Sequence, residues 1–135
     1  MPFLAPDIGL DLGTENINVY VRGRGIVISE PTLVVLDREN KHTVKAVGDE
    51  ARFLYGRSPD QLIAVAPIRN GQVADFDIAE LMFRYFIRKA VGVSYLGKPR
   101  IIISIPCGMD DVNRKALMEA IRMAGARRLS SMAFC

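Results

Sequence analysis

The chain has 135 residues, the length of one ordinary domain, and is 50% hydrophobic, 24% charged and 7% aromatic, which fits a globular protein and excludes a disordered one. Its net charge of +3 is spread along the sequence, with Arg22-Gly-Arg24 and Arg127-Arg128 among its few short basic clusters, an argument against a nucleic-acid partner. No apolar run reaches the length of a membrane span, and the N-terminus lacks the basic stretch and apolar core of a secretory signal. Cys107 and Cys135 are too few for a disulfide framework or a zinc site, so the expectation is a cytoplasmic protein with two free thiols.

Residues 7–35 read as β structure. Ile17, Val19 and Val21 alternate with Asn18, Tyr20 and Arg22, the period of two expected of a strand. Arg22-Gly-Arg-Gly25 is a turn and Ile26-Val-Ile28 opens a third strand; Pro31 interrupts it before extended structure resumes over Thr32 to Leu36. Thr43 to Val47 is placed to pair back on it across a polar turn holding His42, the only histidine, read as a surface residue. Residues 49–57 form a short helix ended by Gly56 ahead of Pro59. Ile63 to Pro67 is extended, and Arg69-Asn-Gly71 is a turn.

A second helix is signalled more strongly. Asp77 with Glu80 is an acidic variant of the capping box, Ile78, Leu81, Met82, Tyr85 and Phe86 recur at helical spacing, and Gly92 marks the end. Ile101 to Ile105 is a β-branched run typical of a strand buried on both faces. Asp110 caps a last helix through about Ala124, with Gly125 at its end. Leu129 to Cys135 shows neither periodicity nor a closing helix. The order predicts an α/β domain begun but not completed.

The opening segment Asp7-Ile-Gly-Leu-Asp-Leu-Gly-Thr-Glu-Asn16 carries the chemistry. Gly13 at a hairpin bend lets the backbone come close to a ligand, and the N–H groups of Gly13, Thr14 and Glu15 then form a concavity for an anion. Asp11 beside them suits a magnesium ion held through water. The plain alternative is a glycine-containing β-turn that binds nothing.

Asp-Leu-Gly-Thr at the start of a β-hairpin resembles the first phosphate motif of the actin, heat-shock chaperone and sugar kinase superfamily. Within it the chain is similar to the bacterial actin family MreB, through Asp7 to Asn16, Val21 to Val27, Glu30-Pro31, Ala46 to Ala51, Gly56 to Pro59, Ile68 to Phe76, Arg84 to Lys89 and Pro99 to Pro106. The resemblance covers residues 7 to about 128. It implies an actin-like (ribonuclease H-like) α/β ATPase domain, specifically the N-terminal part of its first lobe. Residues 7–31 and 76–128 would form the incomplete large subdomain, 32–75 a small inserted subdomain, and 129–135 a tail outside the family. It also implies ATP-dependent filaments at the inner membrane that guide cell-wall synthesis and set cell shape. The cofactors would be ATP and Mg2+, and the partners the chain's own or full-length filaments, the inner membrane surface and the cell-wall elongation machinery, with no nucleic acid.

By the same resemblance, Gly13, Thr14, Glu15 and Asn16 face the nucleotide and Asp11 the metal. Glu15 replaces a small residue common there, adding a negative charge near phosphate. Asn113 is the catalytic candidate and stands where the family usually carries a glutamate that orients the attacking water. An amide is not a carboxylate base, though it can still position water from a shorter reach, so the resemblance leaves open whether this chain hydrolyses ATP. Tyr95 and Leu96 occupy a loop that in the family contacts the membrane, with Phe3 and Leu4 adding to it. The family continues with a second phosphate motif and adenosine-binding glycines that are not present, which predicts a truncated, marginally stable form unable to polymerise alone. Two other readings stay open: a regulatory fragment capping full-length filaments, and an ATP-binding fragment related to small-molecule kinases.

Overall fold

Alternating apolar residues and well-placed glycines divide the chain into short strands and three helices. The computed structural model describes residues 3–92 and 95–134. In chain order these form β1 (Phe3–Leu4), β2 (Ile8–Leu12), β3 (Asn16–Val21), β4 (Gly25–Pro31), β5 (Val34–Asp37), β6 (Val44–Val47), α1 (Asp49–Arg57), β7 (Leu62–Val65), β8 (Ile68–Arg69) and β9 (Gln72–Val73). There follow α2 (Phe76–Val91), β10 (Tyr95–Leu96), β11 (Arg100–Pro106), α3 (Asp111–Ala124) and β12 (Arg128–Phe134).

The main sheet has the order β12-β11-β2-β3-β4. Strands β2, β3 and β4 form an antiparallel meander, while β11 and β12 run parallel to β2. Parallel neighbours need long crossovers, and α2 and α3 supply them. Both helices cover the same face: Met82, Phe83 and Phe86 of α2 and Leu117 and Ile121 of α3 are buried in one cluster with Leu10, Ile17, Val19, Ile101 and Ile103. Burying each such side chain contributes roughly 1.5–3 kcal/mol. The buried stripe of α2 runs through Ala79, Met82, Phe83, Phe86 and Ala90. Ile78, Leu81 and Tyr85 from the expected stripe are only partly buried.

The opposite face of the sheet is open, and this corrects the expected double burial of Ile101 to Ile105. Ile101, Ile103 and Ile105 are buried, but Ile102 is 50% exposed. It lies in a cross-strand row with Gly9, Tyr20 and Ile26. Helices cover only one side among the described residues, so the pleat splits the isoleucines between core and surface.

A second antiparallel sheet, β6-β5-β7, carries α1, and Val35, Ala46, Ala51 and Leu62 form its small core. Strands β8 and β9 make a hairpin whose two loop residues, Asn70 and Gly71, have φ of 51° and 72°, the positive pair that a tight type I′ turn needs.

Three further expectations need correction. The cap of α2 is Asp75, whose carboxylate accepts the Ile78 N–H at 3.1 Å; the N–H groups of Ala74 and Asp75 donate to the Pro67 carbonyl, fixing the chain so that the helix starts before Asp77. The tail read as irregular is the strand β12, paired along its whole length with β11 from Arg100↔Arg128 to Pro106↔Phe134. Cys107, expected as a free thiol, is disulfide-bonded; Cys135 lies outside the described residues. By contrast, Gly92, Asp110 and Gly125 cap their helices where the sequence placed them.

Candidate functional site

The bend between β2 and β3 projects from the C-terminal end of the parallel strands, the end where open α/β sheets bind ligands. The Gly13 N–H donates to the Asn16 carbonyl at 2.8 Å, so the turn is closed by the group expected to face an anion. The Thr14 and Glu15 N–H groups have no acceptor among the described residues. The Glu15 carbonyl accepts both the N–H and the hydroxyl of buried Thr32, at 2.9 and 3.1 Å. The bend is thus held from behind while two donors stay available.

Two cavities meet at this bend. One, of about 380 Å³, lies between the two sheets and is lined by Thr14, Glu15, Thr32, Arg52, Arg69 and Asn70 among others. The other, of about 280 Å³, lies between Gly13 and Thr14, the Asn70-Gly71 turn, and Pro106 and Met109. Thr14, Ile68 and Asn70 line both. Arg52 and Arg69 were not singled out in the sequence. They come from α1 and β8, and tertiary packing brings them to the cavity that Thr14 lines. Glu15 shares its cavity with these two guanidinium groups and does not line the one beside Gly13.

The remaining site candidates are placed differently. Asp11 is exposed on the open face of the sheet, paired with Asn18 on one side and Ser104 on the other. Neither Asp11 nor Asn16 lines either cavity. Among the described residues no three His, Cys, Asp or Glu side chains converge. A lone carboxylate would suit Mg2+ only where the ion keeps most of its waters and is held largely by the phosphates of a bound ligand. Backbone strands place Tyr95 and Leu96 beside Phe3 and Leu4, but the side chains of these four lie outside the described ones.

Asn113 occupies the third position of α3 and is fully engaged. Its side-chain carbonyl accepts the Val73 N–H at 2.8 Å, and its amide donates to both oxygens of Asp110 at 3.0 and 3.1 Å. The Asp110 carboxylate also accepts the Asn113 backbone N–H at 2.7 Å. That backbone bond, followed by the side-chain amide, holds the Asp110 carboxyl below its ordinary value. A carboxylate in place of Asn113 would confront Asp110 with a like charge and no donor. The side chain therefore straps the β8–β9 hairpin, a wall of the smaller cavity, to the N-terminus of α3.

A second strap holds the wall of the larger cavity. Glu30 of β4 is 6% exposed; its Oε1 accepts the N–H of Asp49 at 3.0 Å and its Oε2 meets Lys89 Nζ at 2.5 Å. Helix α1 has no side-chain cap from Gly48, so a glutamate from another sheet satisfies its first turn. Gly48 has φ of 71°, and a Cβ there would lie 2.2 Å from Glu30 Oε1.

This geometry agrees with comparisons to known proteins. The MreB/Mbl protein family profile matches residues 5–133, reaching into β12. The cell shape-determining protein Mbl of Bacillus cereus (strain ATCC 10987 / NRS 248) is 46% identical over 123 residues, which are 91% of this chain and 37% of that protein. The crystal structure of MreB5 of Spiroplasma citri bound to AMPPNP superposes with a TM-score of 0.81 at 26% identity, over 98% of this chain and 39% of that one. The MamK double helical filament, at 17% identity and a TM-score of 0.73 over 93% of this chain and 40% of that one, shares the fold. The chain thus spans somewhat over a third of the length of the proteins it matches. With its actin-like α/β fold, it belongs to the MreB/Mbl family.

Proposed function

We propose that this chain forms the phosphate-binding part of an ATP-binding, actin-like cell-shape protein. The observation that carries the reading is the bend at Thr14, where two backbone N–H groups have no acceptor among the described residues and Thr14 lines two cavities, one of them also lined by Arg52 and Arg69. Thr14 and Glu15 would donate to phosphate oxygens, and Asp11 would hold Mg2+ through water; the metal would supply charge neutralisation of the phosphates. The AMPPNP in the Spiroplasma citri relative supports a nucleotide as the ligand. Asn113 serves this site as a positioning residue for the β8–β9 hairpin and leaves the water-orienting role of a glutamate unfilled, so the chain holds nucleotide and turns it over slowly or not at all.

The wider reading follows the relatives. A protein of this family that determines cell shape, as the Bacillus cereus Mbl is named, would act in filaments at the inner face of the membrane and guide cell-wall synthesis. The filament of MamK, which shares this fold, supports self-association. No helix among the described residues is long and apolar enough to cross a membrane, and membrane contact would come from the strands around Tyr95 and Leu96.

Titration calorimetry with ATP and Mg2+ tests the site. Saturable binding that is lost on Asp11→Ala and on chelation of Mg2+ is expected. Absence of binding by a chain that circular dichroism shows to be folded would overturn the assignment.

A further inference from the structure

The two edges of the main sheet, β4 and β12, are built differently. An edge strand offers a row of backbone N–H and C=O groups to any strand that arrives, and folded chains commonly block it with a bulge, a proline or an inward-facing charge. Strand β4 has all three. Its pairing with β3 shifts register between Val19 and Tyr20, leaving Val27 as an extra residue. It ends in Pro31, and its Glu30 points inward, buried against Lys89 and the Asp49 N–H. Strand β12 has none of these devices. It is seven residues long and pairs with β11 from Arg128 to Phe134 without a register shift. It contains no proline and, beyond Arg128, no charge. Ser130, Ser131 and Met132 are exposed. Outside the β11 ladder, the backbone of residues 128–134 makes no hydrogen bond among the described residues.

We propose that β12 is the pairing edge of a closed dimer, in which a second copy of this chain lays its own β12 antiparallel to the first and joins the two five-stranded sheets into one. The inference is independent of the nucleotide and membrane readings above. The strand fits a copy of itself. About a two-fold axis at Ser131, that serine meets its counterpart, and Ser130 lies opposite the copy's Met132, so no charge is opposed at the centre. The two Arg128 fall at opposite ends of the new ladder, about 20 Å apart along the strand. Because the pleat has a period of two, this register sets like faces together: Ser131, which pairs with core-facing Ile103, meets Ser131 on the helix-covered side. Backbone hydrogen bonds supply the attraction, as they do wherever an extended segment adds to an exposed sheet edge. A pair related by a two-fold axis is closed. It consumes the unblocked edge of each sheet, leaves the blocked β4 edges outermost, and does not grow into a filament.

The test is sedimentation equilibrium of the intact chain over a concentration series without nucleotide. The mass should rise from monomer to dimer and stop there. Ser131→Lys sets two ammonium groups opposite each other on the axis and should move the midpoint to a concentration at least about fivefold higher. Ser131→Glu should do the same with two carboxylates. Mixing the two variants in equal amounts should restore the dimer, since lysine then faces glutamate, and that recovery also shows that both variants fold. Ser29→Lys, at an exposed position of β4, should leave the midpoint within about twofold. A chain that stays monomeric, or one that grows past the dimer, would overturn the proposal. So would a dimer that Ser131→Lys and Ser29→Lys weaken equally, or losses in both Ser131 variants that the mixture does not recover. A dimer that disappears on adding dithiothreitol would be held by a covalent cysteine link, and would overturn it too.

Discussion

Two polar straps hold the walls of the candidate site, and they differ mainly in burial. Glu30 ties α1, and with it Arg52, to the main sheet from a position 6% exposed. Asn113 ties the β8–β9 hairpin to α3 from a half-buried position, beside exposed Asp110. Each accepts one backbone N–H from a distant segment and engages one charged group. Water reaches exposed Asp110 beside Asn113, whereas the Glu30 carboxylate is buried and keeps its desolvation cost if its partners are lost. Similar bond counts therefore predict unequal consequences for the two walls.

The sharpest way to break the inner strap leaves Glu30 itself in place. Gly48→Ala forces a side chain into a left-handed backbone, at roughly 1–2 kcal/mol. It also puts a Cβ 2.2 Å from Glu30 Oε1, so the carboxylate must move and give up the Asp49 N–H, which leaves a buried carboxylate short of a donor at about 1–3 kcal/mol more. A loss of about 3 kcal/mol in urea unfolding is the expected outcome. A loss below about 1 kcal/mol would mean that α1 shifts freely and the strap is slack.

Glu30→Gln asks a milder question, since an amide oxygen still accepts the Asp49 N–H and only the charge opposite Lys89 disappears. Lys89 is about half exposed, so the expected loss at neutral pH is near 1 kcal/mol. The hydrogen bond to Glu30 raises the Lys89 pKa above its ordinary 10.5. A raised lysine stabilises fully below its unfolded pKa and loses that contribution as pH climbs through the folded value. The gap between wild type and variant should hold to about pH 10 and narrow above it. A gap independent of pH across that range would show that Lys89 contributes packing and not charge.

How far the sequence foretold these walls depends on how local each signal is. Gly92, Asp110 and Gly125 act within a turn of their own helices, and all three were legible. The cap of α2 was not: Asp75 and Asp77 are equivalent as pattern, and it is the bond from Asp75 to Pro67, made by tertiary folding, that chooses between them. Strand β12 was missed because Leu-Ser-Ser-Met-Ala has little β propensity, and the open edge of β11 recruits it regardless. At the site, the bend from Gly13 to Asn16 could be read from four residues. Arg52 and Arg69 could not, because α1 and the β8–β9 hairpin, far along the chain from the bend, deliver them.

The outer strap supplies the smallest effect and the finest test of the comparison. Asn113→Ala removes one bond to Val73 and two to Asp110, yet solvent reaches the site, so the expected loss is about 1 kcal/mol. Its dependence on acid is the more telling readout. Bonds from Asn113 hold the Asp110 carboxyl below 3.8, and a depressed carboxylate stabilises above its unfolded pKa and ceases to do so as pH falls through the folded one. Wild type should lead the variant at neutral pH and lose much of that lead below about pH 3, and carboxyl NMR should find the Asp110 pKa higher in the variant. Asn113→Glu should do worse than alanine at neutral pH, because it sets two carboxylates together, and should recover when Asp110→Asn is added. That recovery would show that the asparagine at this position is tied to its aspartate cap: restoring a glutamate here requires removing the charge that now anchors the hairpin.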